Sequence, residues 1–378
     1  MKLANYVFLL GTILCANPYP ADVGLCIVDL KFDGQTIKIC EFGQGTVSQF
    51  NGYDALYGQG AMFTKVWGQL RNIHPILEAI FTHHMSELAG MYAISELSEA
   101  EKISVLSLDQ LCSATKTIKR RMSLCHQQQI AFYDGIIITF NTRVLKNIIR
   151  AQEVKAYDRF IILDRATTYW VNNKCFSDQL FDEPWLRVVR PGCFVCEKAI
   201  TIDLLQEVIR QMPSDYYVIK PLNASKGMGI VMVAREELAE TVQSLFGQEA
   251  KVPNRKEKEY EYWLRDKNKT FLLEQFCPSK IVEVDGHPYD PTMRVAFILS
   301  NNEGKTQVTF LDAYWKLPER SLDQKGSMTQ KHKSHINKKH HSSYRVEPDD
   351  FNKVTMLLEP VLLSVYEKML ARTYACAL

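Results

Sequence analysis

Two apolar runs flank a short glycine-containing loop between residues 216 and 233, and this segment constrains the chain more than any other. The first run, Tyr216–Lys220, and the second, at residues 230–233, have the β-branched and aromatic content that is typical of strands. The residues between them are small and polar, and Gly227 and Gly229 allow the backbone to approach an anion closely. The sequence therefore predicts two strands joined by a loop whose backbone N–H groups can close over phosphate oxygens.

This loop is not a P-loop, because the GxxxxGK[ST] pattern is absent and a strand, rather than a helix, follows it. Lys220 ends the first predicted strand, where its ammonium group can meet a phosphate. Ser225 and Lys226 lie in the loop with the two glycines. We therefore predict a phosphate-binding flap formed by Lys220, Ser225, Lys226, Gly227 and Gly229.

The order of features around this loop resembles the ATP-grasp superfamily over roughly residues 155–340. Upstream, the sequence Val-Asn-Asn-Lys that ends at Lys174 is similar to a step at which a lysine of that family contacts the ATP phosphates. Downstream, Glu274, Gln275 and Phe276 resemble the hinge strand, which holds adenine by its backbone and ribose by a side chain. The resemblance implies that these four residues bind the nucleotide.

Two further strands of the resemblance end in basic residues. Arg294 is similar to the arginine that reaches the transferring phosphate, and Lys316 ends a strand that is basic in many members. The resemblance implies that both are catalytic, that ATP and Mg²⁺ are the cofactors, and that ATP phosphorylates a carboxylate whose acyl-phosphate an amine then attacks. Fixed cations and backbone donors suit this reaction because charge develops on the transferring phosphoryl oxygens.

The remaining patterns predict an α/β fold. Residues 25–42 predict a β-hairpin around an Asp-Gly turn, and short apolar runs after Asp134 and Phe160 alternate with helical segments, as in a parallel α/β layer. We expect an N-terminal α/β substrate-side domain over residues 21–150. A two-subdomain ATP-grasp fold is expected to follow over residues 151–378.

Several local elements are also predicted. An apolar face that includes Leu70, Leu77 and Ile80 predicts one amphipathic helix. The glycines at residues 43–60 predict turns and a loop. Helices are expected to begin near Ile202 and to cover residues 351–370 near the end of the sequence.

The sequence departs from the family where metal ligands are expected. Family members usually carry an acidic strand and a Glu-x-Asn sequence, which hold two Mg²⁺, after a helix near the C-terminus, and neither follows that helix here. The chain is truncated, or the ligands come from elsewhere, or catalysis is lost. Asp290, Asp312 and Asn337 are candidates elsewhere, and Asp312 and Asn337 are the predicted metal ligands, since one or two carboxylates can suffice for Mg²⁺. Asp312 is equally well explained as an acid at a solvent-facing strand position.

A basic and polar stretch covers residues 325–345 and contains four of the nine histidines. Two interpretations stay open: an exposed mobile loop, or a loop beside the site that binds phosphate or acid. Nucleic-acid binding is not expected, because aromatic residues do not alternate with the basic ones and because Lys+Arg (45) barely exceeds Asp+Glu (43) over the chain.

The ten cysteines are dispersed, and Cys193 and Cys196 form the one close pair. A structural zinc site would need a second pair, so buried reduced thiols are expected, with a redox or metal role as the alternative. Residues 1–20 contain an apolar run that resembles a signal peptide with a poor cleavage site, or else a first buried element. A cytoplasmic and a secreted location both stay open. No apolar stretch of the sequence is long enough to span a membrane.

The sequence therefore predicts an ATP- and Mg²⁺-dependent ligase that joins a carboxylate to an amine, with a nucleotide and an unidentified carboxylate as partners. Two alternatives remain. One is a catalytically degenerate ATP-binding or interaction protein, which the missing acidic strand favours. The other is kinase-like phosphoryl transfer on the same fold.

Overall fold

In the computed structural model of this protein, the described residues are 22–73, 77–82, 104–107, 134–138, 160–171, 174–222, 224, 227–247, 258–302, 304–334 and 342–374. Their strands are β1 (Asp22–Phe32), β2 (Ile37–Gln44), β3 (Leu77–Thr82), β4 (Ser104–Ser107), β5 (Asp134–Ile138), β6 (Phe160–Ile162), β7 (Cys193–Glu197), β8 (Tyr216–Lys220), β9 (Val231–Ala234), β10 (Thr270–Gln275), β11 (Val282–Val284), β12 (His287–Tyr289), β13 (Thr292–Asn302), β14 (Lys305–Lys316) and β15 (Ser343–Arg345). Their α-helices are α1 (Val47–Tyr57), α2 (Ala61–Ile73), α3 (Thr167–Val171), α4 (Lys174–Asp178), α5 (Pro184–Arg187), α6 (Ile202–Gln211), α7 (Leu238–Phe246), α8 (Lys258–Arg265), α9 (Met328–His332) and α10 (Pro348–Tyr374).

The largest sheet has five strands in the order β15-β14-β13-β1-β2, and every neighbouring pair is antiparallel. Strand β1 lies between β13 and β2, and all of its residues are buried. Its apolar run at residues 23–28 explains this position, because a strand that is covered on both faces needs apolar side chains on both.

The predicted hairpin is confirmed, and it is formed by β1 and β2. The Oδ1 atom of Asp33 accepts hydrogen bonds from the backbone N–H groups of Gln35 and Thr36, and Gly34 has a φ of 103°, which favours glycine. However, β1 also pairs along its length with β13, about 260 residues further along the chain. The hairpin therefore shares a sheet with a strand of the later region, and the predicted division at residue 150 stays a prediction. A local pattern could not reveal so distant a strand partner.

The five-stranded sheet has an apolar core on each face, because successive side chains of a strand point in opposite directions. Val28 and Leu30 of β1 pack with α10 on one face. Leu25 and Ile27 pack on the other face with residues of α1 and α2. The predicted helix over residues 351–370 is confirmed within the longer α10.

A second sheet has four antiparallel strands in the order β7-β10-β8-β9. It confirms the two strands predicted around the glycine-containing loop, since β8 ends at Lys220 and Ile219 pairs with Val231 of β9. The helix expected near Ile202 is confirmed as α6, whose N-cap Thr201 accepts a hydrogen bond from the N–H of Leu204 at 3.3 Å.

A third sheet, in the order β4-β3-β5-β6, is parallel throughout, which confirms the predicted parallel layer. The helix predicted through Ile80 is wrong, because α2 ends at Ile73 and residues 77–82 form β3. Apolar residues at 77 and 80 fit a helical face and a short buried strand equally well. The helix was predicted here because the prediction relied on helical spacing alone. Among the described helices, none is long and apolar enough to cross a membrane.

The predicted turns at residues 43–60 are only partly correct. Gly58 and Gly60 have positive φ angles at the end of α1 and just before α2. Gly43, by contrast, lies in β2, and Gly52 lies in α1. A Cβ atom on Gly52 would lie 2.3 Å from Cε2 of Tyr314, so this glycine permits close packing of α1 on β14 and does not mark a turn.

Candidate functional site

A cavity of about 170 Å³ lies between β2, the edge strand of the five-stranded sheet, and the end of the four-stranded sheet where β8 and β10 carry Lys220 and Glu274. Glu41 and Gln44 of β2 lie on one side, and Lys174, Arg190 and Glu274 are also part of the lining. The cavity therefore brings charged side chains from both antiparallel sheets together.

Lys220 and Glu274 form a buried ion pair across β8 and β10. Their residues are 7% and 2% exposed, so neither charge is exposed to bulk water. Burial by itself lowers the pKa of Lys220, but the carboxylate of Glu274 outweighs it and the pKa is raised above its ordinary value. The predicted phosphate-binding lysine and the predicted hinge acid thus lie in contact, with Glu274 facing the cavity.

Lys174 begins α4 and lines the cavity. Its Nζ donates hydrogen bonds to the carbonyl oxygens of Ala224 (2.6 Å) and Pro221 (3.2 Å), just after β8. Burial lowers the pKa of Lys174, and the nearby charge of Glu41 opposes this effect. Because its hydrogen-bond acceptors are neutral, a phosphate would be a stronger partner than the present ones.

Gly227 and Gly229 both have left-handed backbone conformations, with φ angles of 69° and 71°. The carbonyl of Gly229 accepts a hydrogen bond from Nε1 of Trp263 at 2.8 Å, and an added Cβ would lie 2.5 Å from Cδ1 of Tyr262. An added Cβ on Gly227 would instead approach only Lys333, at 3.8 Å. Gly229 is therefore packed against α8, and Gly227 lies in the more open part of the loop. Ser225 and Lys226 lie outside the described residues.

The hinge residues have a larger structural role than the sequence suggested. The side-chain amide of Gln275 accepts from the N–H of Gly192 (3.2 Å) and donates to the carbonyl of Pro213 (2.8 Å). The backbone N–H groups of Gln275 and Phe276 are bonded to the carbonyls of Gly192 and Tyr216. These groups already have partners within the protein, so their role in nucleotide binding stays a prediction.

Arg294 and Lys316 converge on Asp29. Nε and Nη2 of Arg294 and Nζ of Lys316 all donate to this carboxylate at 2.7 Å, and the three residues are buried. Burial raises the pKa of Asp29, but the two cations outweigh it and hold the pKa well below its usual range. Burial and Arg294 lower the pKa of Lys316. Arg294 also donates to the backbone carbonyl of Gln49 at 3.0 Å, which connects this group to the cavity lining.

Three of these charged residues were missed in the sequence analysis: Asp29, Glu41 and Arg190. The carboxylate of Glu41 forms no hydrogen bond or ion pair within the part of the chain that the structure describes. Arg190 is 4% exposed, its Nη1 donates to the carbonyl of Ile39 at 2.6 Å, and its Nε is buried without a hydrogen-bond partner among the described residues. An acid within the apolar strand β1 was the signal available, since such a residue is costly to bury without a cationic partner.

The two candidate acids for a metal already have partners. Asp312 accepts from the hydroxyl of Tyr53 at 2.7 Å and pairs with Lys65. Asp290 is buried and accepts from the N–H of Ser279 and from Nδ1 of His332, both at 2.6 Å. Its pKa, which burial raises, is lowered overall by Lys31 and His332. Asn337 lies outside the described residues, and within those residues no group of three or more His, Cys, Asp or Glu side chains converges.

The described part of the basic stretch contacts the glycine-containing loop. Nζ of Lys333 approaches the carbonyl of Gly227 at 3.4 Å and pairs with Glu259. Thr329 of α9 accepts a hydrogen bond from the N–H of Met232 at 2.9 Å. Residues 325–334 are therefore packed beside the site, while residues 335–341 lie outside the described part.

The Cys193 and Cys196 thiols are free and lie on β7. A spacing of three along a strand directs two side chains to opposite faces, so the pair cannot converge on one metal. Cys196 packs into the apolar core of the four-stranded sheet. Burial raises the pKa values of both thiols to about 11, in keeping with the expected reduced, unreactive cysteines.

No protein-family model matches the chain, and no curated protein is similar to it. Several solved structures are similar in shape, among them the following three. A Methylobacillus flagellatus KT protein described as a gamma-glutamylcysteine synthetase shares 12% identity at a TM-score of 0.39, over 99% of this chain and 94% of that one. The VanG D-Ala:D-Ser ligase of Enterococcus faecalis shares 11% at 0.37, over 78% and 83%. The D-cycloserine synthetase DcsG shares 11% at 0.35, over 78% and 81%.

All three are named as ligases or synthetases. At these identities and TM-scores the likeness does not establish a family or an activity. An assignment for this chain has to rest on the geometry of the cavity and of the charged side chains around it.

Proposed function

We propose that this protein is an ATP-grasp ligase, which uses ATP and Mg²⁺ to join a carboxylate to an amine. One observation carries the proposal: cationic groups from separate elements converge at a cavity between two antiparallel sheets. Lys174 and the Lys220–Glu274 pair border it from the side of the four-stranded sheet. Arg294 and Lys316 approach it from the five-stranded sheet through Gln49 and Asp29.

This arrangement suits a triphosphate. Lys174 and Lys220 supply two fixed positive charges, and the loop between β8 and β9 supplies backbone donors and two glycines in left-handed conformations. An ion pair such as Lys220–Glu274 keeps the ammonium charged although it is buried. Preorganised charges in a site shielded from water stabilise developing negative charge more strongly than they would in solvent.

The proposed reaction has two steps. A carboxylate oxygen of the substrate attacks the γ-phosphorus, the bond to the β–γ bridging oxygen breaks, and ADP leaves. The amine nitrogen then attacks the acyl carbon, inorganic phosphate leaves with the electron pair of the C–O bond, and the amine loses a proton. Arg294 and Lys316 stabilise the charge on the transferring phosphoryl group, and Lys174 and Lys220 hold the remaining phosphates.

The experiment is an ADP-release assay with purified protein, ATP, Mg²⁺, a pool of carboxylic acids and a pool of amines. A ligase turns over repeatedly and releases ADP and phosphate only when both pools are present, and mass spectrometry detects an amide. A phosphorylated acceptor without an amide would support kinase-like transfer. Saturable ATP binding without ADP release from any pool would support a degenerate nucleotide-binding protein, and a failure to bind ATP would contradict the proposal altogether.

A further inference from the structure

The surroundings of Arg294 are fixed by the strand order of the five-stranded sheet. Arg294 lies on β13, and β13 has β14 on one edge and β1 on the other. Both edges are therefore occupied. An acidic strand that flanks Arg294 within this sheet has to be β14 or β1, whatever residues precede or follow the sequence.

Strand register then places two acids beside Arg294. Asp29 of β1 pairs with Arg294 on one side and with Glu41 of β2 on the other. Side chains directly opposite each other in an antiparallel pair lie on the same face, with Cβ atoms about 4.5–5.5 Å apart. Glu41, Asp29 and Arg294 therefore form a row across three adjacent strands, and Glu41 lies at the cavity end of that row.

The two acids differ in how firmly they are held. Asp29 is bonded to both Arg294 and Lys316, whereas the Glu41 carboxylate has no such bond among the described residues. Glu41 nevertheless lines the same cavity as Lys174, and it lies opposite the Asp29 that bonds Arg294 and Lys316. A triphosphate would compete with Asp29 for the two cations, and this exchange would free the carboxylate that lies opposite Glu41 in the sheet.

The remaining donors fit a hard cation. Gln44 lines the cavity, and its amide nitrogen donates to Thr168 at 2.7 Å, which leaves the amide oxygen for another partner. Mg²⁺ prefers oxygen ligands and is commonly held by one or two carboxylates together with waters and substrate phosphates. Glu41 and Gln44 line the cavity, and Asp29 lies opposite Glu41 in the sheet, so these three residues match that donor set.

A second observation at the same cavity indicates an anion. Arg190 lines the cavity and is almost fully buried, and its Nε has no hydrogen-bond partner within the described part of the chain. A buried guanidinium N–H without a partner is costly, and a phosphate oxygen would satisfy it. A carboxylate on β2 near a buried guanidinium N–H without a partner suits a cation–phosphate pair.

We infer that Asp29 and Glu41, from the β1–β2 hairpin, hold the Mg²⁺ that accompanies ATP. This inference rests on the proposed function. It transfers the metal-binding role from Asp312 and Asn337 to a hairpin more than 200 positions earlier in the sequence. It also gives Arg294 an acidic neighbouring strand, since β1 lies beside β13.

The test compares three isosteric variants: Glu41→Gln, Asp312→Asn, and the matched control Glu283→Gln, whose carboxylate is on the exposed face of β11. Mn²⁺ serves as the probe, and electron paramagnetic resonance measures its binding at saturating concentrations of a non-hydrolysable ATP analogue. Nucleotide binding is measured separately by calorimetry in EDTA. Circular dichroism melting verifies that each variant is folded.

Glu41→Gln is expected to weaken Mn²⁺ binding roughly tenfold or more while leaving metal-free nucleotide binding within twofold of wild type. Asp312→Asn and Glu283→Gln are expected to match wild type in both measurements. Wild-type Mn²⁺ affinity in Glu41→Gln, or a larger loss in Asp312→Asn, would overturn the inference and leave the proposed function intact. A wild-type protein that binds no nucleotide in either condition would overturn both.

Discussion

Asp29 and Arg294 lie directly opposite each other on β1 and β13, and two parallel hydrogen bonds of 2.7 Å join the carboxylate to the guanidinium group. The two residues are 265 positions apart in the sequence. Lys316 donates to the same carboxylate. One acid near the start of the described chain therefore holds the two cations that the resemblance assigned to catalysis, so the hairpin and the later strands form one chemical unit.

Asp29→Asn should destabilise the fold, because it leaves two buried cations without their common anion. Removing one partner of a buried ion pair typically costs about 3–5 kcal/mol. Urea denaturation of wild type and variant at pH 7 measures the difference in the free energy of unfolding. A difference below about 1 kcal/mol, the range of an exposed ion pair, would contradict the buried network.

The same pair of proteins should show a defined pH dependence. The pKa of Asp29 is held below its ordinary value of about 3.9, so its contribution to stability is present above that pH and is lost as the pH falls through the lower pKa of the folded protein. We expect the stability gap between wild type and Asp29→Asn to be constant near neutrality and to narrow below about pH 4. A gap that is unchanged at pH 3 would show that the charge of Asp29 is not the stabilising group.

Arg294→Lys should reduce turnover more than ATP binding. A guanidinium group can contact Asp29 and a phosphoryl group through a rigid fork of donors, whereas an ammonium group acts as a point charge. We expect kcat to fall at least about tenfold, with the ATP dissociation constant changed less than about threefold. Lys305→Arg, an exposed exchange on β14, is the control. Equal losses in kcat and in ATP affinity would indicate that Arg294 contributes to ground-state binding alone.

The two loop glycines should respond differently to substitution by alanine. Both require a left-handed backbone, but a Cβ on Gly229 would also collide with Tyr262, whereas a Cβ on Gly227 meets no atom closer than 3.8 Å. Gly229→Ala should therefore lower the melting temperature more than Gly227→Ala. Equal melting temperatures would contradict the packing of Gly229 against α8.

The loss of a proton from Lys174 should determine the pH above which nucleotide affinity declines. Its pKa is lowered by burial, so its ammonium group loses its proton, and with it the attraction for phosphate, at a lower pH than an ordinary lysine. ATP affinity should decline on the alkaline side before pH 10.4, the ordinary lysine value, and Lys174→Arg should move that decline to higher pH. Identical pH profiles for both proteins would remove Lys174 from the site.

Local features of this sequence predicted local structure well. The Asp-Gly turn near Gly34, the strands on either side of the glycine-containing loop and the helix α10 follow from turn chemistry and hydrophobic spacing over fewer than about twenty residues. The same spacing failed at Leu77 and Ile80, because a six-residue strand and one face of a helix can carry the same apolar positions.

The features that the sequence could not show depend on pairing between strands that lie far apart in the sequence. Nothing in the residues around Asp29 indicates that β1 lies beside β13, and nothing near Glu41 indicates that β2 borders a cavity. The sequence therefore predicted Asp312 as a metal ligand, but the structure places its carboxylate against Lys65 and Tyr53. Charge balance was the one accessible clue, since Arg294, Lys316 and Asp29 each lie in a strongly apolar strand.

Calorimetric titration with ATP tests the central claim most directly, with wild type, Lys174→Ala and the exposed control Lys267→Ala measured side by side. Within the described residues, the ammonium group of Lys174 bonds to backbone carbonyls alone, so its removal should leave the fold intact. A charge-assisted contact to phosphate contributes about 1.5–3 kcal/mol, which predicts one saturable site in wild type and in Lys267→Ala, and roughly tenfold or weaker binding in Lys174→Ala. Equal affinities in all three proteins, or no saturable binding by wild type, would contradict a nucleotide site between the two sheets.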